Sequence, residues 1–154
     1  MQPIPLVLAC FATGDRHVLR LLGAPAGLDR LVQARPDDVL VLELARHLVA
    51  WDAVGMSTEW VVRQVPGVLQ DVQLDSFDLI IRKYACVGAA CLAMGLRNAG
   101  TLRDDVKTTL LFFLRKVNTT VATVVKKQEG AALVHLPNFD RVARTIALAV
   151  AMVM

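Results

Sequence analysis

The chain is poor in aromatics, in charge, in cysteines at paired spacings and in apolar runs long enough to cross a bilayer. Each shortage removes a class of protein. Aromatics make up 5% of the 154 residues and charged side chains 20%, while apolar residues reach 55%. Such a chain is too apolar for a disordered segment. It is also more apolar than most free-standing soluble domains, so part of its surface is expected to meet further protein. Ala, Leu and Val dominate, and small or straight-chain apolar residues suit close helix packing. The length fits one ordinary domain or a few repeats and would bury roughly 70% of the surface exposed by the unfolded chain.

Cys10, Cys86 and Cys91 are an odd count without framework spacing, which excludes a disulfide scaffold. All three sit among apolar neighbours, where a free Cys acts as a small hydrophobe, and a reducing compartment fits them best. The longest uncharged runs, Met1–Gly14 and Tyr84–Leu96, fall short of the roughly 20 residues a membrane span needs. The first also lacks the basic start of a signal peptide, and Pro3 and Pro5 interrupt it. Net charge is +3, spread along the chain, with one local cluster at Arg115, Lys116, Lys126 and Lys127. A nucleic-acid footprint needs a denser patch, and a solvated helix face is the simpler reading.

Chemical motifs are missing too. His17, His47 and His135 lie far apart and form no zinc-ligand spacing with the cysteines. His47, on a Leu-rich helix, reads as a packed or edge residue. A Cys–His nucleophile pair is disfavoured because helix-interior thiols are inert. Gly88 and Gly95 lack both the dinucleotide fingerprint and a strand before it. Asp37-Asp38 and Asp104-Asp105 read as helix N-terminal acids rather than catalytic pairs. Asn118-Thr119-Thr120 is a formal glycosylation sequon with little meaning in a reducing compartment. Trp51 and Trp60 read as packing anchors before partner hot spots. No catalytic, cofactor-binding or metal residue is therefore assigned, and no cofactor.

What is present is a succession of helix signals. Ile4–Ala12 is an apolar segment stopped by Thr13-Gly14. Asp15–Leu22 is a short helix ended by Gly23 and Pro25, and Leu28–Gln33 is another. Pro36 sits where a first helical residue belongs, followed by two acids that complement the helix N-terminus, and this helix is predicted to reach Trp51. Its apolar positions wrap widely, which predicts burial on more than one side. Ser57 reads as the N-cap of a short helix through Trp60 to Val65, broken by Pro66-Gly67. After a further short piece, Asp75 or Ser76 opens a long helix to about Asn98, with Gly100 placed to end it. The next helix spans Arg103 to Lys127, although the Val and Thr content of Val117–Val125 also permits a strand. Gly130 and Pro137-Asn138 read as breaks, with Asn138 capping a last helix, Phe139–Met154.

Gly88–Gly95 reads GAACLAMG, five of eight residues being Gly or Ala. Gly in a helix costs about 1 kcal/mol relative to Ala, and small side chains compensate by letting two backbones approach. LACFATG, ACLAMGLRNAGT and IALAVAMVM share a small, apolar helix leading towards a turn. Unevenly spaced copies of this kind fit the logic of a solenoid, whose units bury their faces on neighbours.

Ala90–Thr101, ACLAMGLRNAGT, resembles a proteasome/cyclosome repeat: a small-residue helix, a Gly, then Ala-Gly and Thr at the turn. Two large scaffold subunits of the proteasome regulatory particle carry this repeat, as does the subunit 1 family of the anaphase-promoting complex. The flanks are similar to the latter. ARPDDVLVLELARHLVAWD, Ala34–Asp52, resembles its Pro-acid start leading to a Leu-rich helix and Trp. Trp60-Val61, Val65-Pro66 and IALAVAMVM, Ile146–Met154, follow in the matching order, and DRHVLRLLGAP, Asp15–Pro25, matches more loosely. The resemblance covers most of the chain. Ala89, where the family often has Gly, and Asn98, where an aromatic is common, depart from it. Thr101–Gly130 matches little.

The resemblance implies an all-α fold of helical-hairpin repeats in an α-solenoid. Residues 1–33 would end one repeat, 34–130 would hold helices plus a full repeat around 75–127, and 138–154 would start the next. The chain is expected to be a piece of a longer product, with Met1 not a natural start. The implied role is a non-catalytic scaffold of a ubiquitin ligase acting in mitosis, in nucleus and cytoplasm. Its implied partners are other anaphase-promoting complex subunits and a coactivator, not nucleic acid, membrane or small molecules. The proteasome scaffold is the alternative.

Overall fold

A computed structural model describes residues 3–22, 28–71, 76–127 and 132–154. The elements are α1 (Pro3–Ala9), α2 (Arg16–Leu22), α3 (Leu28–Gln33), α4 (Pro36–Val49), a 3₁₀ turn (Trp51–Ala53), α5 (Thr58–Gln64), α6 (Gly67–Gln70), α7 (Phe77–Arg97), α8 (Asp104–Lys127) and α9 (Ala132–Val153). The fold is all-α, with no strand among the described residues. The signals assigned to Gly23, Pro25, Asp75 and Gly130 lie outside the described residues.

Most helix starts follow the local chemistry. Pro36 opens α4 with Asp37 and Asp38 in its first turn. The Ser57 hydroxyl accepts from the Trp60 N–H at 3.2 Å and caps α5. Ser76 occupies the N-cap position of α7, but its side chain makes no capping bond. The ambiguous stretch of α8 is helical. Val117 and Val124 are buried while Val121 and Val125 pack beside them, which is helical and not alternating spacing. The Thr123 hydroxyl bonds the Thr119 carbonyl at 3.0 Å.

Two boundaries differ from the sequence reading. α4 stops at Val49, and Trp51 falls in the 3₁₀ turn. α9 does not begin after Pro137-Asn138: it starts at Ala132 and carries Pro137 inside it. An internal Pro forfeits one helix hydrogen bond and costs about 3 kcal/mol. Packing on both sides of it holds the helix together. His135 stacks on Phe77 with ring centroids 6.2 Å apart and planes at 9°, and Phe139 is buried against Tyr84, centroids 6.4 Å apart.

α4, α7 and α9 lie side by side and parallel. Ala34, Leu40 and Trp51 meet Arg82, Gly88 and Arg97 in that order, and Tyr84, Gly88 and Gly95 meet Phe139, Val142 and Ala149. α8 runs the other way, its Thr120 hydroxyl sharing a hydrogen bond with the Tyr84 hydroxyl at 2.7 Å. α5, α6 and α8 meet α7 along Lys83, Tyr84 and Val87.

α7 is thus the centre, with fifteen of its 21 residues buried. By length and composition alone it could cross a membrane; here its apolar surface is taken up by α4, α8 and α9. A smaller cluster, Val7, Val18, Leu22, Ala45 and Val49, joins α1 and α2 to α4.

Candidate functional site: the helix seam and its repeated turn

The Gly/Ala run of α7 sets the spacing of the central layer. A Cβ on Gly95 would lie 2.7 Å from the Ala149 Cα and 2.8 Å from its carbonyl oxygen, and one on Gly88 would meet Val142 at 3.2 Å and Leu40 at 3.8 Å. At Gly88 both neighbouring helices close over α7 at once. Asp37 of α4 is then within reach of Arg141 of α9, and the two form an ion pair across it. The acidic pair at Asp37-Asp38 therefore serves a contact between helices as well as a helix start.

The turns after α1 and α7 share one pattern of threonine and clamp bonds. Thr13 N–H and Oγ1 both donate to the Cys10 carbonyl, at 3.2 and 2.8 Å. Thr101 does the same to Asn98, at 3.1 and 2.8 Å. Residues on either side of each Thr have positive φ: Ala12 (57°) and Gly14 (63°), then Gly100 (70°) and Leu102 (55°). That conformation turns their N–H groups outward to the end of another helix. Ala12 and Gly14 donate to the Leu48 and Val49 carbonyls of α4, at 3.0 and 2.9 Å. Gly100 and Leu102 donate to the Met152 and Val153 carbonyls of α9, at 2.8 and 3.0 Å. The last carbonyls of an α-helix lack partners within it, and here the preceding turn supplies them. This clamp also explains why α4 stops at Val49. Between α4 and α7 the side chain does the work instead, Arg97 donating to the Trp51 carbonyl.

The buried and half-buried polar residues mainly hold carbonyls and pack. Arg82 is buried and donates to the carbonyls of Val32 (2.6 Å) and Ala34 (2.7 and 3.0 Å) and to Asp78 of its own helix, tying the end of α3 to α7. Glu43 is buried against Arg46 at 2.7 Å. His47 lies beside this pair, packed on Trp60 with centroids 5.3 Å apart, and its Nε2 has no hydrogen-bond partner. Burial first, then the Arg46 charge, pulls its pKa down to about 3. His17 is exposed, and His135 lies 3.4 Å from the Asp78 carboxylate oxygen that Arg82 also faces at 3.8 Å.

Cys86 and Cys91 are buried. Burial pushes the Cys86 thiol up to about 12 and Cys91 up as well, so neither is a ready thiolate. Among the described residues no three His, Cys, Asp or Glu side chains gather as metal ligands. Asp104 and Asp105 stand in the first turn of α8, Asp105 holding Arg103 at 2.6 and 3.0 Å. Trp60 fills the space above Gly55, where a Cβ would fall 2.4 Å from its ring. Trp51 packs on Phe11, centroids 5.2 Å apart. Both tryptophans make packing contacts within the chain and remain half-buried. The roles of Arg82, Glu43 and Arg46 are not visible in the sequence, since their partners lie on other helices or depend on burial.

Residues 3–154 match the family described as APC1 fifth domain. The chain belongs to that family. Similar relatives include the anaphase-promoting complex subunit 1 of Schizosaccharomyces pombe, 31% identical over 118 positions, covering 71% of this chain and 8% of that protein. The negative regulator of mitosis of Emericella nidulans is 30% identical over 118 positions, covering 72% and 6%. The anaphase-promoting complex subunit 1 of Homo sapiens is 24% identical over 164 aligned positions, covering 98% and 8%. The chain thus spans under a tenth of the length of these relatives. The residues that carried the resemblance, Ala34–Asp52 and Ala90–Thr101, form α4 with its 3₁₀ turn and the end of α7 with its clamping turn.

Proposed function

We propose that this chain is a non-catalytic scaffold segment of the anaphase-promoting complex, organising subunits for cell-cycle-dependent ubiquitination. One observation carries the reading: the turn after one helix clamps the end of the next parallel helix, and it does so twice with the same bonds. Such a joint passes from unit to unit and leaves room for further units, as a solenoid requires. Family membership supports the choice of complex, and the relatives' names do not favour the proteasome regulatory-particle alternative.

In this reading residues 1–33 end one repeat, residues 34–130 hold helices plus a full repeat around 75–127, and residues 138–154, nearly all within α9, start the next. The partners are other anaphase-promoting complex subunits and a coactivator, without nucleic acid, membrane or small molecule, in nucleus and cytoplasm. The arginines are consistent with a structural part: buried Arg82 and half-buried Arg97 bind carbonyls of the chain itself.

The test is to tag the full-length parent, purify it from dividing cells and identify what accompanies it by mass spectrometry. Recovery of cullin, RING and helical-repeat subunits of the cyclosome is expected. Recovery of proteasome ATPases would favour the alternative. A protein that purifies alone, with an activity abolished by one Cys or His change while its fold persists, would end the scaffold reading.

A further inference from the structure

α5, α6, α7 and α8 leave a groove between them that the scaffold reading does not use. Its volume is about 200 Å³, and Val62, Val65, Val87 and Phe113 are among its lining residues. Small-molecule sites run to roughly 300–1,000 Å³, so this one suits a single inserted side chain better than a cofactor. Lys83 and Lys116 stand in the same lining. Among the described residues neither lysine has a carboxylate within ion-pair distance. Lys83 Nζ is held by the Gln70 carbonyl at 2.7 Å, and Lys116 Nζ lies 5.7 Å from the Phe112 ring centre. Phe112 is itself 47% exposed.

Both lysines line the same cleft, where the charge of Lys116 acts against that of Lys83, and Lys83 also suffers desolvation. Its pKa is lowered by burial first and by Lys116 second, with Asp71 only partly offsetting them. A carboxylate between the two lysines would relieve both costs at once. An apolar side chain beside that carboxylate would fill the cleft and cover the exposed apolar rim.

We propose that this groove docks a short, extended acidic segment of a partner protein, with one bulky apolar side chain in the cleft and a flanking carboxylate bridging Lys83 and Lys116. The charge selects the class of partner and the volume limits the insertion to one residue. This does not depend on which complex the chain serves.

The probe is a fluorescein-labelled peptide, Gly-Ser-Glu-Leu-Glu-Ser-Gly, titrated into the 154-residue chain and followed by anisotropy. Saturable binding is expected, weakening as salt rises. It should weaken about tenfold in Lys116→Glu, as when a charge pair across an interface is lost. The same loss is expected when both peptide Glu residues become Gln, and when its Leu becomes Ser. Lys116 is exposed and its ammonium lies over the face of the half-exposed Phe112 ring, so the variant should stay close to the wild-type melt; Lys83→Gln serves as a second variant. Shifts of the Val62 and Val87 methyl resonances should report the insertion. No saturable binding, equal binding of the Gln or Ser peptide, or binding indifferent to both lysine changes would overturn the proposal. So would tighter binding of a short oligothymidylate, which would make the groove a nucleic-acid contact.

Discussion

Gly95 lies directly against the backbone of Ala149, with room for no Cβ between them: the nearest atoms, Cα and Cβ, would be 2.7 Å away. Two effects oppose each other when a side chain is added there. Ala gains about 1 kcal/mol of helix propensity, but the clash is with main chain, which cannot swing aside, and overpacking costs about 1–3 kcal/mol. Gly95→Ala should therefore destabilise, and Gly95→Leu should do so more. At Gly88 the obstacle is the Val142 side chain at 3.2 Å, which can shift by a few tenths of an ångström. Gly88→Ala should be close to neutral, within roughly 0.5 kcal/mol, because propensity and crowding nearly cancel. Thermal melts of the three variants check the ordering; an unchanged midpoint for Gly95→Leu would count against close packing at this seam.

The repeated turn makes a second, opposite prediction. Leu102 holds φ at 55° and is 70% exposed, so its side chain contributes little packing. A non-Gly residue in the left-handed region costs roughly 1–2 kcal/mol, against which Gly loses some backbone entropy. Leu102→Gly should stabilise by about 0.5–1 kcal/mol. Thr101→Val and Thr13→Val should each cost about 0.5–1.5 kcal/mol by removing the hydroxyl bond to the carbonyl three residues back. If the two turns are equivalent joints, the two Thr variants should lose similar amounts in chemical denaturation.

Local signals were legible where one residue decides the outcome. Pro36 and Ser57 start their helices as read, and the Gly/Ala run marks the tight seam. The all-α class followed from helical spacing repeated along the chain. Pro137 misled because its local cost is real but is outweighed by stacking on Phe77 and burial of Phe139, contacts with a helix far away in sequence. The sequence reading carries α4 two residues too far, to Trp51, because the clamp on Leu48 and Val49 comes from residues 12 and 14. The turn itself was half visible: LACFATG and ACLAMGLRNAGT share the Thr. Its bonds go to helices well downstream, and no short window contains both ends. The same distance hid Arg82 and the groove between Lys83 and Lys116.

Arg82 gives a third prediction. Its guanidinium satisfies the Val32 and Ala34 carbonyls at the end of α3 and the Asp78 carbonyl in α7. Hydrogen bonds to charged groups contribute about 1.5–3 kcal/mol, and carbonyls left buried without partners carry a further penalty. Arg82→Met keeps much of the stem but removes every donor. A loss of about 2–4 kcal/mol is expected, together with faster amide exchange at the end of α3. Arg82→Lys should recover only part, since one ammonium cannot reproduce the forked donor set. Full recovery by Lys would mean that charge, not the fork, matters.

The last prediction concerns acid. His47 is 3% exposed, its Nε2 is unpartnered, and its pKa falls from 6.5 to about 3 on folding. The neutral imidazole is therefore the folded form, and protonation is resisted because the cation would be buried beside Arg46. Above pH 6.5 both folded and unfolded chains hold His47 neutral, so it adds no pH dependence there. Below that value the unfolded chain takes up a proton that the folded chain refuses, and stability is lost as the pH falls from 6.5 towards 3. At 1.36 kcal/mol per pKa unit the full loss is at most about 5 kcal/mol, of which about 2 would appear by pH 5. Glu43, buried 2.7 Å from Arg46, keeps that positive charge partly compensated, so the main cost is desolvation. His47→Phe retains a ring against Trp60 and removes both the titrating group and the orphaned nitrogen. Its stability should be nearly flat between pH 7 and 5, where the parent chain loses about 2 kcal/mol. Urea melts at pH 7, 6 and 5 read the difference directly, and parallel slopes for the two proteins would show that His47 is not the acid-sensitive group.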